Sequence, residues 1–384
     1  MKLKDLIESN NTGLDAIKRA PIVEYDTGIR CLRIGDISNN RPFNDWGYTE
    51  VEDNNYKRFQ LKKDDIIVAR TGATIGVNKY IDKDYKSVYN NGLIRIRVKE
   101  ENNPKYVYYL LQSNNYRNFI KTISMGTSTQ PNMQMNDLLN LEVPEFDRDK
   151  QDKIVQLLGN IDKKIELNNE INNNLHELIN QNYSNYLQEL SDYTELDIKD
   201  IFDFKTGVEP GSKNYLEKQE KNTIKFYRVG DMNSECNTFI QQELTNGKLI
   251  NKDDVVVSFD ATIGRIGYGL KGSYSTGMKK ITINNKYKDI IDNSMVYAYF
   301  NNKDIQNIMM ENARGTTILH ASSSIDFMKF KYNEVLLKKY NKMISILFDK
   351  MKNTKEENEQ LFQLRDTLLP KLINGEIDLD NIEI

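Results

Sequence analysis

The sequence predicts an α+β protein. Two tandem mixed α/β modules are separated by two long helices that pack on each other as a coiled coil, and a pseudo-two-fold internal repeat relates the halves. Three observations predict it. Five strings recur in the same order in both halves, two apolar stripes at helical spacing run past thirty residues, and short β-branched runs bounded by polar turns precede each stripe. The implied division is 1–149 for the first module and 150–190 for a central helix, then 191–337 for the second module and 338–384 for a C-terminal helix.

The repeat begins with Leu3-Lys4-Asp5-Leu6-Ile7, echoed by Ile198-Lys199-Asp200-Ile201-Phe202. Leu32-Arg33-Ile34-Gly35-Asp36 returns as Tyr227-Arg228-Val229-Gly230-Asp231, and Asp64-Asp65-Ile66-Ile67-Val68-Ala69 as Asp253-Asp254-Val255-Val256-Val257-Ser258. Ala73-Thr74-Ile75-Gly76 matches Ala261-Thr262-Ile263-Gly264, and Met125-Gly126-Thr127 matches Arg314-Gly315-Thr316. The offsets stay between 188 and 195 and the order never changes, which chance does not supply.

Ile66–Ala69 reads as a buried strand, and alternation over 93–98 sets Leu93, Arg95 and Arg97 against Ile94, Ile96 and Val98. Pro104–Ile120 reads as one scaffold helix opened by its proline. From Asp152 to about Glu189, Ile154, Leu157, Leu158, Ile161, Ile165, Ile171, Leu175, Leu178 and Ile179 fall at steps of three and four, as do Tyr340 to Leu372 in the second stripe. Asn168, Asn172, Thr354 and Asn358 interrupt the stripes, as polar residues that fix register do. Such narrow stripes predict that each helix pairs with the other more than it closes a module core.

Composition is globular, with 39% hydrophobic and 28% charged residues. Cys31 and Cys236 fall in different halves, and no apolar run is long enough to span a bilayer, so a cytoplasmic protein without disulfides is expected. The net charge of −3 is not that of a typical DNA binder, yet Arg70–Gln130 holds ten basic against four acidic residues and Ser258–Glu334 ten against seven. Locally basic surface on an acidic chain is compatible with phosphate contact.

Candidate contacts cluster at the turns. In Arg70-Thr71-Gly72-Ala73-Thr74-Ile75-Gly76 the hydroxyls suit phosphate oxygens and Arg70 suits guanine or phosphate, while the glycines could equally serve turn geometry alone. Phe259-Asp260 occupies that tip in the second copy. Asn90 and Asn91 could hold an adenine edge or be plain turn residues, and Arg95 and Lys279 are the better candidates for phosphate. The loop Ser124–Asn132 and its counterpart Gly315–Ser322 complete the set. The DNA-binding candidates are therefore Arg33, Arg70, Thr71, Thr74, Lys79, Asn90, Asn91, Arg95, Thr127, Ser128 and Gln130 in the first copy. In the second they are Arg228, Phe259, Thr262, Arg265, Thr276, Lys279, Arg314, Thr316, Thr317 and His320.

No phosphate loop, no dinucleotide fingerprint and no Cys/His cluster at metal spacing is present. His176 reads as a solvated helix residue. A stand-alone DNA-binding module, an enzyme with an unfamiliar site and a coiled-coil adaptor are the competing classes. No catalytic or metal residue is assigned.

The chain resembles the specificity subunits of type I restriction–modification enzymes over essentially its whole length. Leu32–Ile37, Asp65–Gly76, Gly126–Asn132, Leu138–Pro144, Ile161–Asn168 and Leu364–Ile377 carry the resemblance, in that order. The family's fold implies two target-recognition domains, each reading half of a split site on double-stranded DNA and held apart by antiparallel helices. The resemblance further implies two modification subunits that methylate adenine and restriction/translocase subunits that translocate and cut. S-adenosylmethionine, ATP and Mg would belong to those partners, and no cofactor to this non-catalytic chain. A helix of about 35 residues spans on the order of 50 Å, more than one DNA turn of about 34–36 Å. Tips that differ between copies predict an asymmetric site.

Overall fold

Short β-branched runs become antiparallel strands here because each can bury apolar side chains on both faces. The computed structural model describes residues 1–72, 74–125, 132–232, 236–315 and 319–379. The chain forms two compact units, Met1–Lys163 with Phe362–Ile384, and Lys164–Leu361.

In the first unit α1 (Leu3–Leu6) leads into β1 (Ile7–Thr12), β2 (Ile22–Val23), β3 (Arg30–Leu32), α2 (Ile34–Ser38), β4 (Gly47–Thr49) and α3 (Asp53–Phe59). Next come β5 (Ile66–Ala69), β6 (Asn78–Tyr80), β7 (Ser87–Tyr89), β8 (Leu93–Val98), α4 (Pro104–Leu110), α5 (Asn114–Met125) and α6 (Met135–Leu139), then α7 (Arg148–Glu189). They build sheets of order β1-β8-β5-β6 and β2-β4-β3-β7, in which only β3–β7 is parallel. Ile66 and Val68 with Ile94 and Ile96 face a core closed by α1, α4, α5 and the first turns of α7. Ile67, Ala69 and Leu93 face a second core with Leu32, Trp46, Val88 and Tyr89. Each such buried side chain contributes about 1.5–3 kcal/mol, so these two cores, not the turns, hold the unit.

The second unit runs β9 (Thr194–Asp197), α8 (Ile198–Ile201), β10 (Phe202–Thr206), β11 (Thr223–Tyr227), β12 (Phe239–Gln241), β13 (Leu249–Ile250), β14 (Val255–Ser258), β15 (Ile266–Gly267), β16 (Gly272–Tyr274) and β17 (Met278–Ile283). It continues with α9 (Asn293–Asn301), α10 (Lys303–Glu311), β18 (Lys329–Tyr332) and α11 (Glu334–Ile373). Its main sheet, β10-β17-β14-β15, repeats the first unit's strand for strand. In the smaller sheet, β12-β11-β16-β13, a parallel pair β11–β16 again joins an antiparallel β11–β12, but the fourth strand lies at the opposite edge. One repeat escapes the string comparison: Thr12-Gly13-Leu14 and Thr206-Gly207-Val208. A Cβ on Gly13 would lie 2.2 Å from the Tyr89 carbonyl oxygen, and on Gly207 2.1 Å from that of Tyr274. Glycine is required at both because strand and turn backbones touch there.

Several expectations need correcting. The Pro104–Ile120 helix is two, because Ser113 accepts from the Tyr116 amide (3.2 Å) and restarts the chain as α5. The C-terminal helix starts at Glu334, and beyond Ile373 the chain turns back so that Leu379 enters the first unit's core. Both compact units run into the long helices, dividing them at Lys163/Lys164 and Leu361/Phe362. Ile154 and Leu158 of α7 and Leu369 and Leu372 of α11 belong to the first unit's core, while Ile179, Tyr183, Tyr340 and Ile344 belong to the second's. The helices thus close module cores as well as pairing with each other. They do pair: in the second unit Lys164 meets Glu357 (3.3 Å) and Glu189 meets Lys339 (2.8 Å), an antiparallel order, and in the first Asp162 meets Arg365 (3.2 Å).

Two of the predicted polar interruptions, Asn168 and Asn358, form a buried layer in the second unit. Asn168 Nδ2 donates to Asn358 Oδ1 (2.9 Å) and to Glu357 Oε2 (2.8 Å), and Asn358 Nδ2 donates to Asn169 Oδ1 (2.9 Å). Replacing Asn168 by alanine strips partners from a buried amide, so it should destabilise the second unit by about 1–3 kcal/mol in chemical denaturation.

His176 is not a solvated helix residue. It is half-buried and lies edge-on to Tyr297 at 5.9 Å between ring centroids. Asn180 Nδ2 donates to its Nε2 (3.0 Å), which leaves Nδ1–H to meet the Tyr297 hydroxyl (2.7 Å). Burial lowers the His176 pKa, opposed by the charge of Glu177. The folded state therefore binds the proton more weakly than the unfolded chain does. The stability it contributes is present above the ordinary histidine value of about 6.5 and is lost as pH falls below it. A His176→Gln variant should lose part of the pH dependence of thermal unfolding below about pH 6.5.

Candidate nucleic-acid interface

The turn after β5 is fixed by its backbone. Gly76 N–H donates to the Ala69 carbonyl and Ala69 N–H to that of Val77, both at 2.8 Å, which closes the loop. Gly72 and Gly76 have φ of +83° and +85°, and a Cβ on Gly76 would press on Ile120 at 2.9 Å. Of the two readings left open for these glycines, turn geometry accounts for them.

This turn is laced to the two other predicted loops. Arg70 N–H donates to the Gly92 carbonyl (2.9 Å), and Met133 N–H donates to the Arg70 carbonyl (2.8 Å). Asn90 N–H donates to Leu32 O and Asn91 N–H to Leu14 O, bringing the 90–92 turn against the N-terminus of α2. The sequence-predicted Arg70, Thr71, Asn90 and Asn91 therefore converge with Asn132 on one tip. Arg70 Nη2 donates to Asn132 Oδ1 (3.2 Å), while Arg70 Nε and Asn90 Oδ1 are buried without a partner among the described residues. Asn91 and Asn132 are exposed, and Arg70, Thr71 and Thr74 are partly so.

The second unit repeats the lacing. Phe259 N–H donates to the Gly277 carbonyl (2.9 Å) and Ala321 N–H to the Phe259 carbonyl (2.7 Å). Thr71 bridges Asn132 in the first unit as Asp260 bridges His320 in the second. Asp260 Oδ1 lies 2.8 Å from His320 Nδ1, and His320 exchanges both backbone hydrogen bonds with Arg314. Thr262, Thr276, Arg314 and His320 are exposed.

Other candidates have different duties. Arg33 and Arg228 each hold the aspartate three residues on, Asp36 at 3.4 Å and Asp231 at 3.0 Å, whose carboxylates also cap the arginine backbone N–H. Arg265 Nη1 donates to the Val229 carbonyl (3.4 Å). Lys79, in β6, is partly buried, and that burial lowers its pKa. Arg95 is not a phosphate contact: it is 5% exposed, donates to the carbonyls of Arg58 and Gln60 and stacks 5.5 Å over Tyr89. Phe259 is not at the surface of its tip either, being 1% exposed and packed edge-on to Phe204. Lys279 lies one residue before Lys280, the strand equivalent of Arg95, since Ile67 pairs with Arg95 where Val256 pairs with Lys280. It instead donates to Thr206 Oγ1 (3.0 Å) beside the Phe259 ring, and burial lowers its pKa against the pull of Asp260. Thr127, Ser128, Gln130, Thr316 and Thr317 lie outside the described residues. Asn132 and Asp260 were missed as contacts, although both stand in the quoted loops. Aligning the copies by strand register would have exposed their pairing.

Among the described residues no group of three or more His, Cys, Asp or Glu side chains is placed to hold a metal ion. No described helix is long and apolar enough to cross a membrane. The sequence pattern of the type I restriction modification DNA specificity domain matches this chain twice, over residues 1–177 and 191–364. The chain belongs to this family. It is 24% identical over 330 residues to the type I restriction enzyme MjaIX specificity subunit of Methanocaldococcus jannaschii, covering 76% of this chain and 73% of that one. It is 21% identical over 447 residues to the type I restriction enzyme HindI specificity subunit of Haemophilus influenzae, covering 90% and 94%. The crystal structure of a type I restriction-modification system S subunit from M. genitalium shares the fold, with TM-score 0.54 and 21% identity over 97% of this chain and 95% of that one. The two matched segments each carry one of the tips described above.

Proposed function

We propose that the chain reads a bipartite, asymmetric site on double-stranded DNA and directs adenine methylation and restriction by cytoplasmic partner subunits, supplying no catalytic group itself. The observation that carries this reading is a duplicated frame with diverged tips: the same backbone lacing presents Arg70 and Asn132 in one unit and Asp260 and His320 in the other. Two related frames suit two half-sites, and unlike tips suit unlike sequences. Two modification subunits would carry S-adenosylmethionine, and restriction/translocase subunits would use ATP and Mg. Exposed Leu167, Ile171 and Leu178 along α7 are consistent with a protein partner on the helices. Single-molecule sequencing of adenine methylation in a strain expressing this chain with its modification subunit should return two different short sequences separated by a fixed gap. A single contiguous palindrome would overturn the proposal.

A further inference from the structure

The two copies keep the chemistry of the side chains that hold the frame. Arg33–Asp36 returns as Arg228–Asp231. The carboxylate at the start of the central strand, buried at Asp65 and partly buried at Asp254, is met by Arg97 in one unit and by Lys280, from the position of Arg95, in the other, both at 2.7 Å. The tip pair alone among these changes its chemistry. Asn132 and His320 occupy equivalent backbone positions, while Arg70 matches Phe259 and Asp260 matches Thr71, so their tip partners come from adjacent positions: a guanidinium with an amide in one unit and a carboxylate with an imidazole in the other.

The internal hydrogen bonds fix what each tip offers outward. Asn132 Oδ1 is taken by Arg70, which leaves the Asn132 Nδ2 hydrogens and the rest of the guanidinium, all donors. A carboxylate only accepts, so His320 Nδ1 must donate to Asp260 Oδ1. In a neutral ring that leaves His320 Nε2 an acceptor beside the second carboxylate oxygen, Oδ2. One tip is thus a donor face and the other an acceptor face. A carboxylate facing DNA is repelled by phosphate and by guanine O6, but it is satisfied by an exocyclic amino group. Lys279 beside Asp260 and Arg314 beside His320 supply the cations that keep such a tip compatible with the backbone.

We propose that Asp260 and His320 are the base-reading pair of the second unit and accept from an exocyclic amino group, cytosine N4 or adenine N6, in the major groove. Arg70 and Asn132 are the donor pair of the first unit and read guanine acceptors. This rests on the chain being a DNA specificity subunit and names the chemistry of its two contacts.

The test uses the full complex with its modification subunits, and duplexes substituted one base pair at a time. Asp260→Asn and His320→Gln should each weaken the cognate duplex roughly tenfold to hundredfold and alter one position of one half-site. Arg70→Gln should alter the other half-site instead. Replacing the contacted adenine by purine, or cytosine by 2-pyrimidinone, removes the amino group. That duplex should bind wild type as weakly as the cognate duplex binds Asp260→Asn, and Asp260→Asn should lose nothing further on it. Asp260→Asn is isosteric at a partly exposed site, and unchanged thermal unfolding will show that it folds. Unchanged affinity and motif for both second-unit variants in an assembled complex would overturn the assignment, as would losses spread over both half-sites. If the wild-type complex shows no two-part motif at all, the failure lies with the proposed function and not with this pair.

Discussion

Arg70→Ala should weaken binding of the cognate duplex by roughly 5- to 150-fold, the worth of one bidentate base contact at about 1–3 kcal/mol. Its guanidinium has one described hydrogen bond, to Asn132, and its Nε is buried without a partner among the described residues. The side chain is held at the tip by few contacts within its own unit, which suits a group whose main partner lies outside. The loss should be confined to one position of one half-site, with the salt dependence of binding unchanged. A phosphate contact would behave differently, weakening all duplexes alike and lowering the slope of log K against log salt by about 0.9. Arg70→Lys should not rescue, because an ammonium cannot reproduce a planar fork. Stability should stay within about 0.5 kcal/mol of wild type, since neither core contains Arg70. Competition binding at several salt concentrations separates the two contact types.

What could be read from the sequence was what geometry imposes twice. Gly76 and Gly264, the aspartates at the starts of β5 and β14, and the Gly-Asp after β3 and β11 recur because each meets a backbone or capping demand that any copy of this frame must meet. Other features turn on packing that no local string encodes. Arg95 alternates like a half-exposed strand residue, but β8 lies between two cores, and the last turn of α3 and the residue after it supply carbonyls that accept from its guanidinium. The tip of the second copy is one residue shorter, Phe259–Gly264 against Arg70–Gly76, so no fixed offset carries across it. Strand pairing, not spacing, sets the true equivalence of Arg95 with Lys280. The tip pairs were invisible for a similar reason, since Asn132 and His320 reach Arg70 and Asp260 only when segments about sixty residues apart are laced together. The helices misled in one respect. Their stripes look like a two-helix seam, yet aromatic residues such as Tyr183, Tyr186, Tyr340 and Phe348 widen them into a module core.

Arg97→Met should destabilise the first unit by about 3–5 kcal/mol, the cost of leaving a buried carboxylate without its cation. Asp65 is 1% exposed and sits where the chain enters β5. It accepts from the Lys62 amide (2.8 Å) and from Arg97 Nε (2.7 Å) and Nη2 (3.4 Å). Arg95, which also feels the Asp65 charge, is already committed to two carbonyls and to the Tyr89 ring. The pair is therefore not interchangeable with its neighbour, and the full effect should be seen. The chain offers a selective probe: its one tryptophan, Trp46, is 1% exposed in the first unit's second core, against Phe43 and Tyr85. Fluorescence-monitored denaturation should shift for Arg97→Met, while circular dichroism should show a second transition, that of the other unit, left in place. Arg97→Met with Asp65→Asn should recover a large part of the loss, because the doubly neutral pair leaves no buried charge. If the single variant unfolds at the wild-type denaturant concentration, Asp65 is held by backbone amides alone and the ion pair contributes nothing to the frame.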